Sequence, residues 1–183
     1  LSSYGLFEGR QNLGRWFNTW QAGTDTAVTF GADVTRDNFK VDRGNAYDMK
    51  RDATGIFAGV TQKLGALTLQ MNVRHDDVKV ENREPGMPNS SNQSDADTGL
   101  LGLSYAITPA WSVTGTVSNG FRAPTASEVS KNPQLRPETH QSSEIGTSYA
   151  IDNLLARVVY FDTNTKDAIV YKPLQGWDYT YES

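Results

Sequence analysis

A chain of 183 residues with no cysteine cannot use a disulfide framework, a thiolate metal site or a cysteine nucleophile. Its net charge of −4, with 17 Lys and Arg scattered along the chain, argues against a nucleic-acid partner. No stretch approaches the roughly 18 consecutive apolar residues of a transmembrane helix, and Leu1-Ser2-Ser3-Tyr4-Gly5-Leu6 lacks the basic-then-apolar order of a signal peptide, so any export signal is expected to have been removed.

Taken in chain order, the sequence predicts strands at 12–20, 26–36, 53–64, 66–78, 97–107, 111–119, 141–150 and 154–163. In the second, Val28, Phe30, Ala32 and Val34 face one side while Thr29, Gly31, Asp33 and Thr35 face the other. In the fourth, Leu67, Leu69, Met71 and Val73 oppose Thr68, Gln70, Asn72 and Arg74. In the sixth, Trp111, Val113 and Val117 oppose Ser112, Thr114 and Thr116. This is period two, which a helix cannot hold. The last strand is expected to continue through Ala168-Ile169-Val170-Tyr171, and Leu174 to Ser183 reads as an outer loop that opens a ninth strand.

Strand length chooses between kinds of sheet. About ten residues at roughly 3.3 Å each, tilted by about 45°, cover roughly 24 Å, the height of the apolar band of an outer-membrane barrel; strands of soluble sandwiches run nearer five or six residues. The links alternate. Gln21–Asp25, Leu64–Gly65, Thr108–Ala110 and Asp152–Asn153 are short, while Arg36–Asp52, Lys79–Asp95 and Asn119–Thr139 are long. Short periplasmic turns and long outer loops are the habit of such barrels. Trp20, Tyr105, Trp111 and Tyr149 lie beside short turns and read as one interfacial girdle. The segment from Lys79 to Asp95, rich in Pro, Gly, Asn and Ser, is expected to be the least ordered.

The expected fold is therefore all-β, an antiparallel up-and-down meander forming part of a transmembrane barrel. Closure of eight strands on themselves is disfavoured, because the inward faces carry Gly31, Gly59, Gly102, Gly146 and many Ser and Thr, too little volume to fill a narrow lumen. The chain also stops at Thr180-Tyr181-Glu182-Ser183 just after a loop, which would leave a bare strand edge in lipid. Residues 1–183 are thus expected to be part of a larger barrel, truncated at both ends.

Asn119-Gly120-Phe121-Arg122-Ala123-Pro124-Thr125, then Glu128, then Asn132-Pro133-Gln134-Leu135-Arg136-Pro137-Glu138, and finally Glu144-Ile145-Gly146 form an ordered strand, loop and strand signature. It resembles that of TonB-dependent outer-membrane receptors. Residues 53–76 look most like the cobalamin-receptor subgroup, with which siderophore receptors share much. The resemblance implies a 22-stranded barrel in the outer membrane of a Gram-negative bacterium, a plug domain and C-terminal strands absent from this chain, and a TonB complex as the partner that energises the plug. It also implies active uptake of a scarce bulky ligand, cobalamin or an iron chelate, with outer-membrane lipid around the wall.

Within the motif, Pro124, Pro133 and Pro137 fix φ and stiffen the link. Asn132 before Pro133 is a turn former, and Glu144 should face the lumen within reach of an Arg. For Arg122, Pro124, Asn132, Pro133, Pro137, Glu138 and Glu144 the reading is structural, as loop anchor and wall. Ligand contact is expected from Asp42, Arg43, Asn45 and Tyr47, with Arg122 and Trp177 behind them, because aromatic and amide groups at a barrel mouth suit a large, partly apolar ligand.

Other chemistry finds no support. Asp95-Ala96-Asp97-Thr98-Gly99 lacks the third ligand and terminal Glu of a calcium loop. His75 and His140, the only two histidines, read as strand-end residues rather than metal ligands. No Ser, His and acid set suggests an acyl-transfer enzyme, and no cofactor or metal is implied. Two alternatives compete with the receptor reading: a self-contained eight-stranded barrel of structural or adhesive role, and a soluble β-sandwich binding module.

Overall fold

The computed structural model describes residues 6–42, 47–86, 88–174 and 178–183. All eight predicted strands form, in the predicted order, as β1 (Leu6–Gln21), β2 (Thr26–Asp42), β3 (Tyr47–Leu64), β4 (Leu67–Arg83), β5 (Ser90–Ala106), β6 (Trp111–Arg122), β7 (Glu138–Ile151) and β8 (Leu154–Lys166). Each pairs antiparallel with its sequence neighbours, so the order in the sheet is the order in the chain, and β1 does not pair with β8. The sheet is an open meander. One helix, α1 (Ala126–Lys131), lies between β6 and β7, and a hairpin of β9 (Val170–Pro173) and β10 (Tyr179–Glu182) follows β8.

The short turns are those expected. Gly65 at φ +61° supplies the left-handed residue of the two-residue turn after β3, and Asp152 at φ +47° does so after β7, a region that Asp tolerates better than most side chains. The other end of the sheet departs from expectation. Instead of stopping near Arg36 and starting again at Asp52, β2 and β3 stay paired out to Val41 opposite Tyr47. Likewise β4 and β5 stay paired to Asn82 opposite Ser90, so the link expected to be least ordered shrinks to Glu84–Asn89. The reason is visible in burial: Val80, in the stretch expected to be loop from Lys79 onward, is 1% exposed and continues the buried inner-face row begun by Val78, 2% exposed at the end of the predicted strand.

The expected continuation of β8 through Val170 is also corrected. The strand ends at Lys166, Asp167 turns the chain at φ +51°, and Val170–Pro173 pairs instead with Tyr179–Glu182.

The two faces differ as the alternation requires. On one, hereafter the outer face, the register aligns Trp20, Val28, Val60, Met71, Leu101 and Val117 across six strands, and Met71, Val73, Leu101, Leu103 and Ile145 stand exposed. Tyr105, Trp111 and Tyr149 lie on it beside the short turns, with the Trp111 indole donating to Thr147 Oγ1 at 2.7 Å. On the inner face, side chains lie flat over glycines. Arg74 crosses Gly55, Asn72 crosses Gly59 and Phe57 crosses Gly31, in each case where a Cβ would collide. Strand β8 breaks the rule, because Val159 and Phe161 on its inner side are exposed along with Val158 and Tyr160 on its outer side.

A candidate ligand mouth held by an inward-folded link

The link from Ala123 to Pro137 folds across the inner face rather than standing away from it. Thr125 caps α1 with a complete capping box: its hydroxyl accepts from Glu128 N while the Glu128 carboxylate accepts from Thr125 N at 2.7 Å. The helix is too short to persist alone, and packing holds it. Val129 is fully buried against Val78 and Val80, with Ala53, Phe121, Ala123 and Ala126 around them. Pro124 and Leu135 are buried as well. Asn92 of β5 donates to the carbonyls of Pro133 and Leu135, both at 2.9 Å, and ties the far side of the link down.

Arg122 is the hub of an ion cluster. Its guanidinium donates to Glu128 at 3.0 Å and to Glu138 at 2.8 Å. Glu138 Oε2 also accepts from Ile169 N at 3.2 Å, which joins the segment after β8 to the start of β7. Burial opposes ionisation of Glu128, but the hydrogen bonds from Arg122 and Thr125 outweigh it and hold the carboxyl below its ordinary value of 4.5. The Arg122 hydrogen bond, then the Ile169 amide, depresses Glu138 in the same sense.

The β9–β10 hairpin leans on this link. Asn132 donates to the Tyr181 carbonyl at 2.9 Å and accepts from Gln134 N at 3.0 Å, forming an Asx turn ahead of Pro133 and its neighbours. Tyr171 stacks on Tyr179 with centroids 5.2 Å apart, Tyr181 meets both edge-on, and the Lys131 ammonium sits 4.6 Å from the Tyr179 ring centre.

The residues expected to touch a ligand divide. Arg43, Asn45 and Trp177 lie outside the described residues. Asp42 ends β2 exposed and Tyr47 opens β3 half-buried; together they line a hollow of about 610 Å³ with Val41, Arg83 and Pro85. The Tyr47 ring lies 6.3 Å from that of Phe39, which is 6.4 Å from Phe7, so an aromatic row crosses three strands on the inner face. Arg122 does not line that hollow and spends its donors on Glu128 and Glu138. Pro137 is half-buried at the end of the link. Glu144 faces the lumen side and lines a smaller hollow of about 220 Å³ with Thr116 and Arg157, yet no ion pair of Glu144 occurs among the described residues.

One inner-face cluster escaped sequence reasoning. Arg74 grips Asp33 with two hydrogen bonds of 2.9 Å and Asp76 with two of 2.7 and 2.5 Å, and Arg15 approaches Asp33 at 3.6 Å. The only signal was the shared even or odd parity of these residues within their strands. Which of them meet depends on register, and register is set by the turns.

The sequence profile described as TonB dependent receptor-like, beta-barrel matches residues 2–183. The vitamin B12 transporter BtuB of Vibrio vulnificus (strain CMCP6) is 25% identical over an alignment that covers 96% of this chain and 30% of that protein. Among solved structures, the copper transporter OprC superposes with a TM-score of 0.81 at 15% identity, covering 97% of this chain and 33% of that one. The FrpB iron transporter from Neisseria meningitidis (F3-3 variant) gives 0.79 at 15% identity, with 96% and 31% covered. The chain therefore spans about a third of the length of these proteins. With its whole described length matched, the chain belongs to the TonB-dependent receptor β-barrel family.

Proposed function

We propose that this chain is a wall section of a larger outer-membrane transporter that takes up a scarce bulky nutrient, cobalamin or a ferric siderophore, in a Gram-negative bacterium. On this reading the outer face meets lipid, the short turns lie on the periplasmic side, and the complete barrel of 22 strands encloses a plug domain that the TonB complex acts upon. The observation that carries the reading is the combination of an apolar outer face with an inner face that is polar, glycine-lined and covered at one end by a folded-in link. Inner-side apolar groups on the two outermost strands, Leu13 and Phe17 on β1 and Val159 and Phe161 on β8, also suit a wall whose inside is covered by further protein.

The vitamin B12 transporter relative favours a corrinoid, and the aromatic row Phe7, Phe39 and Tyr47 beside Asp42 offers a large, partly apolar ligand both stacking area and polar anchors. Asp42, Arg43, Asn45, Tyr47, Arg122 and Trp177 are the proposed contact set. Uptake by the complete protein in cells tests this directly: labelled cobalamin and a labelled ferric siderophore are offered to wild type and to a variant with Asp42, Asn45 and Tyr47 changed to Ala. A fall in uptake of one ligand by about tenfold or more, with unchanged protein in the outer-membrane fraction, supports the reading. Unchanged uptake of both rejects the contact set, and wild-type protein found in the soluble fraction rejects the transporter itself.

A further inference from the structure

Beyond the last apolar residues, the outer face becomes densely charged. On β2 the outward series runs Val28, Phe30, Ala32, Val34 and then Arg36, Asn38, Lys40. Each residue of a strand tilted by about 45° climbs roughly 2.3 Å, so Asn38 stands roughly 9 Å above Val34, at the outer limit of the roughly 5–8 Å headgroup layer beside the hydrocarbon. Long basic side chains reach back into that layer.

At this height one hollow, of about 190 Å³, is lined by Glu8, Arg10, Asn38, Lys40, Asp48 and Lys50; it adjoins the hollow of about 610 Å³ at the rim, with which it shares Glu8, Lys40 and Asp48. The register explains its composition. Arg10, Asn38 and Lys50 form one row across β1, β2 and β3, and Glu8, Lys40 and Asp48 form the next row out. The row nearer the apolar belt carries no acid on these three strands; its next position, on β4, is Glu81, whose carboxylate is already engaged by Lys79 and Arg83. Elsewhere on this face the charges satisfy each other, Arg36 with Asp52 at 3.6 Å, Lys79 with Glu81 at 2.7 Å and Arg83 with Glu81 at 3.2 Å. Arg10, Lys40 and Lys50 have no carboxylate within ion-pair distance among the described residues, although Glu8 and Asp48 lie opposite Lys40 in register. The Asp48 carboxylate has one oxygen buried with no hydrogen-bond partner among the described residues, an arrangement that a native fold leaves for a ligand or water to complete.

We infer that this hollow binds the phosphate-bearing headgroup of a lipid in the outer leaflet. Arg10, Lys40 and Lys50 hold the phosphate, the Asn38 amide donates beside them, and the unsatisfied Asp48 oxygen accepts from an amine or hydroxyl of the same headgroup. Three cations from three adjacent strands, pointing to the side where lipid continues, form a fixed anion seat in a chain that is acidic overall. The inference rests on the membrane reading of the outer face.

The complete protein, reconstituted in phosphatidylcholine nanodiscs and titrated with diphosphorylated lipid A, tests it by native mass spectrometry of the retained lipid. Wild type should retain lipid A, and the R10Q/K40Q/K50Q variant should bind it at least tenfold more weakly while keeping the wild-type heat-modifiable band on gels. If the triple variant fails to fold, the single changes R10Q and K50Q should each weaken retention severalfold. Equal retention by folded variants overturns the inference, as does displacement of lipid A by inorganic phosphate alone, which would make the seat one for free anions. Wild type that enters nanodiscs but prefers phosphatidylcholine overturns it too. Wild type that does not enter nanodiscs at all instead sinks the membrane reading.

Discussion

Arg122 and Val129 divide the work of holding the folded-in link between charge and packing. The two carboxyls that Arg122 engages, Glu128 and Glu138, are both held below their ordinary value of 4.5. A carboxyl depressed in the folded state stabilises it above its unfolded pKa and loses that contribution as pH falls through the folded one. Amide hydrogen exchange in α1 should therefore be slow at neutral pH and accelerate on acidification below about 4.5, whereas exchange in the centre of β3 should not change. The Glu128→Gln variant should show the fast exchange already at neutral pH. Val129→Ala removes two buried methyl groups, so link docking should weaken by about 2 kcal/mol, read as faster protease cleavage between Ala123 and Pro137. Equal cleavage rates would show that the ion cluster alone suffices.

At the scale of elements, the sheet forks. The β5–β6 ladder stops at Leu100 opposite Ser118, and beyond that point β5 stays with β4 while β6 continues with β7 to Arg122 opposite Glu138. Asn119 sits at the fork and bridges it with its side chain, accepting from Gly99 N at 2.7 Å and donating to the Asp97 carbonyl at 3.0 Å. The link carrying α1 fills the space that opens, with Asn92 bonded across it. In the Asn119→Ala variant, the Gly99 amide should exchange at least tenfold faster while Leu101 and Leu103, below the fork, stay protected. Uniform protection would mean that the fork closes by backbone pairing when the side chain is absent.

For the molecule as a whole, the decisive property is which medium covers the outer face. Met71 is the sharpest probe, since it lies near the middle of the apolar row and is half exposed. Met71→Arg in the complete barrel should destabilise folding into lipid by about 2–4 kcal/mol. Gln70→Arg, one residue away on the inner face, should cost far less. Denaturant titrations into phospholipid vesicles measure both. Equal effects would indicate that the two faces see the same surroundings.

The amino-acid order by itself determined the strands, their sequence and their faces, because a two-residue period needs no knowledge of partners and the turns at Gly65 and Asp152 are local. It also carried the family, through the run from Asn119 to Gly146. Tertiary structure decided how far the strands reach and what the link does. Val80 alternates with Lys79 and Glu81 just as in a strand, yet the stretch from Lys79 reads as loop until Val129, some 50 residues away in sequence, is seen to cover it together with Val78. The same holds for Arg74 with Asp33 and for Arg10, Asn38 and Lys50: each set is scattered along the chain and meets only through strand register, a cross-strand quantity that side-chain alternation leaves open.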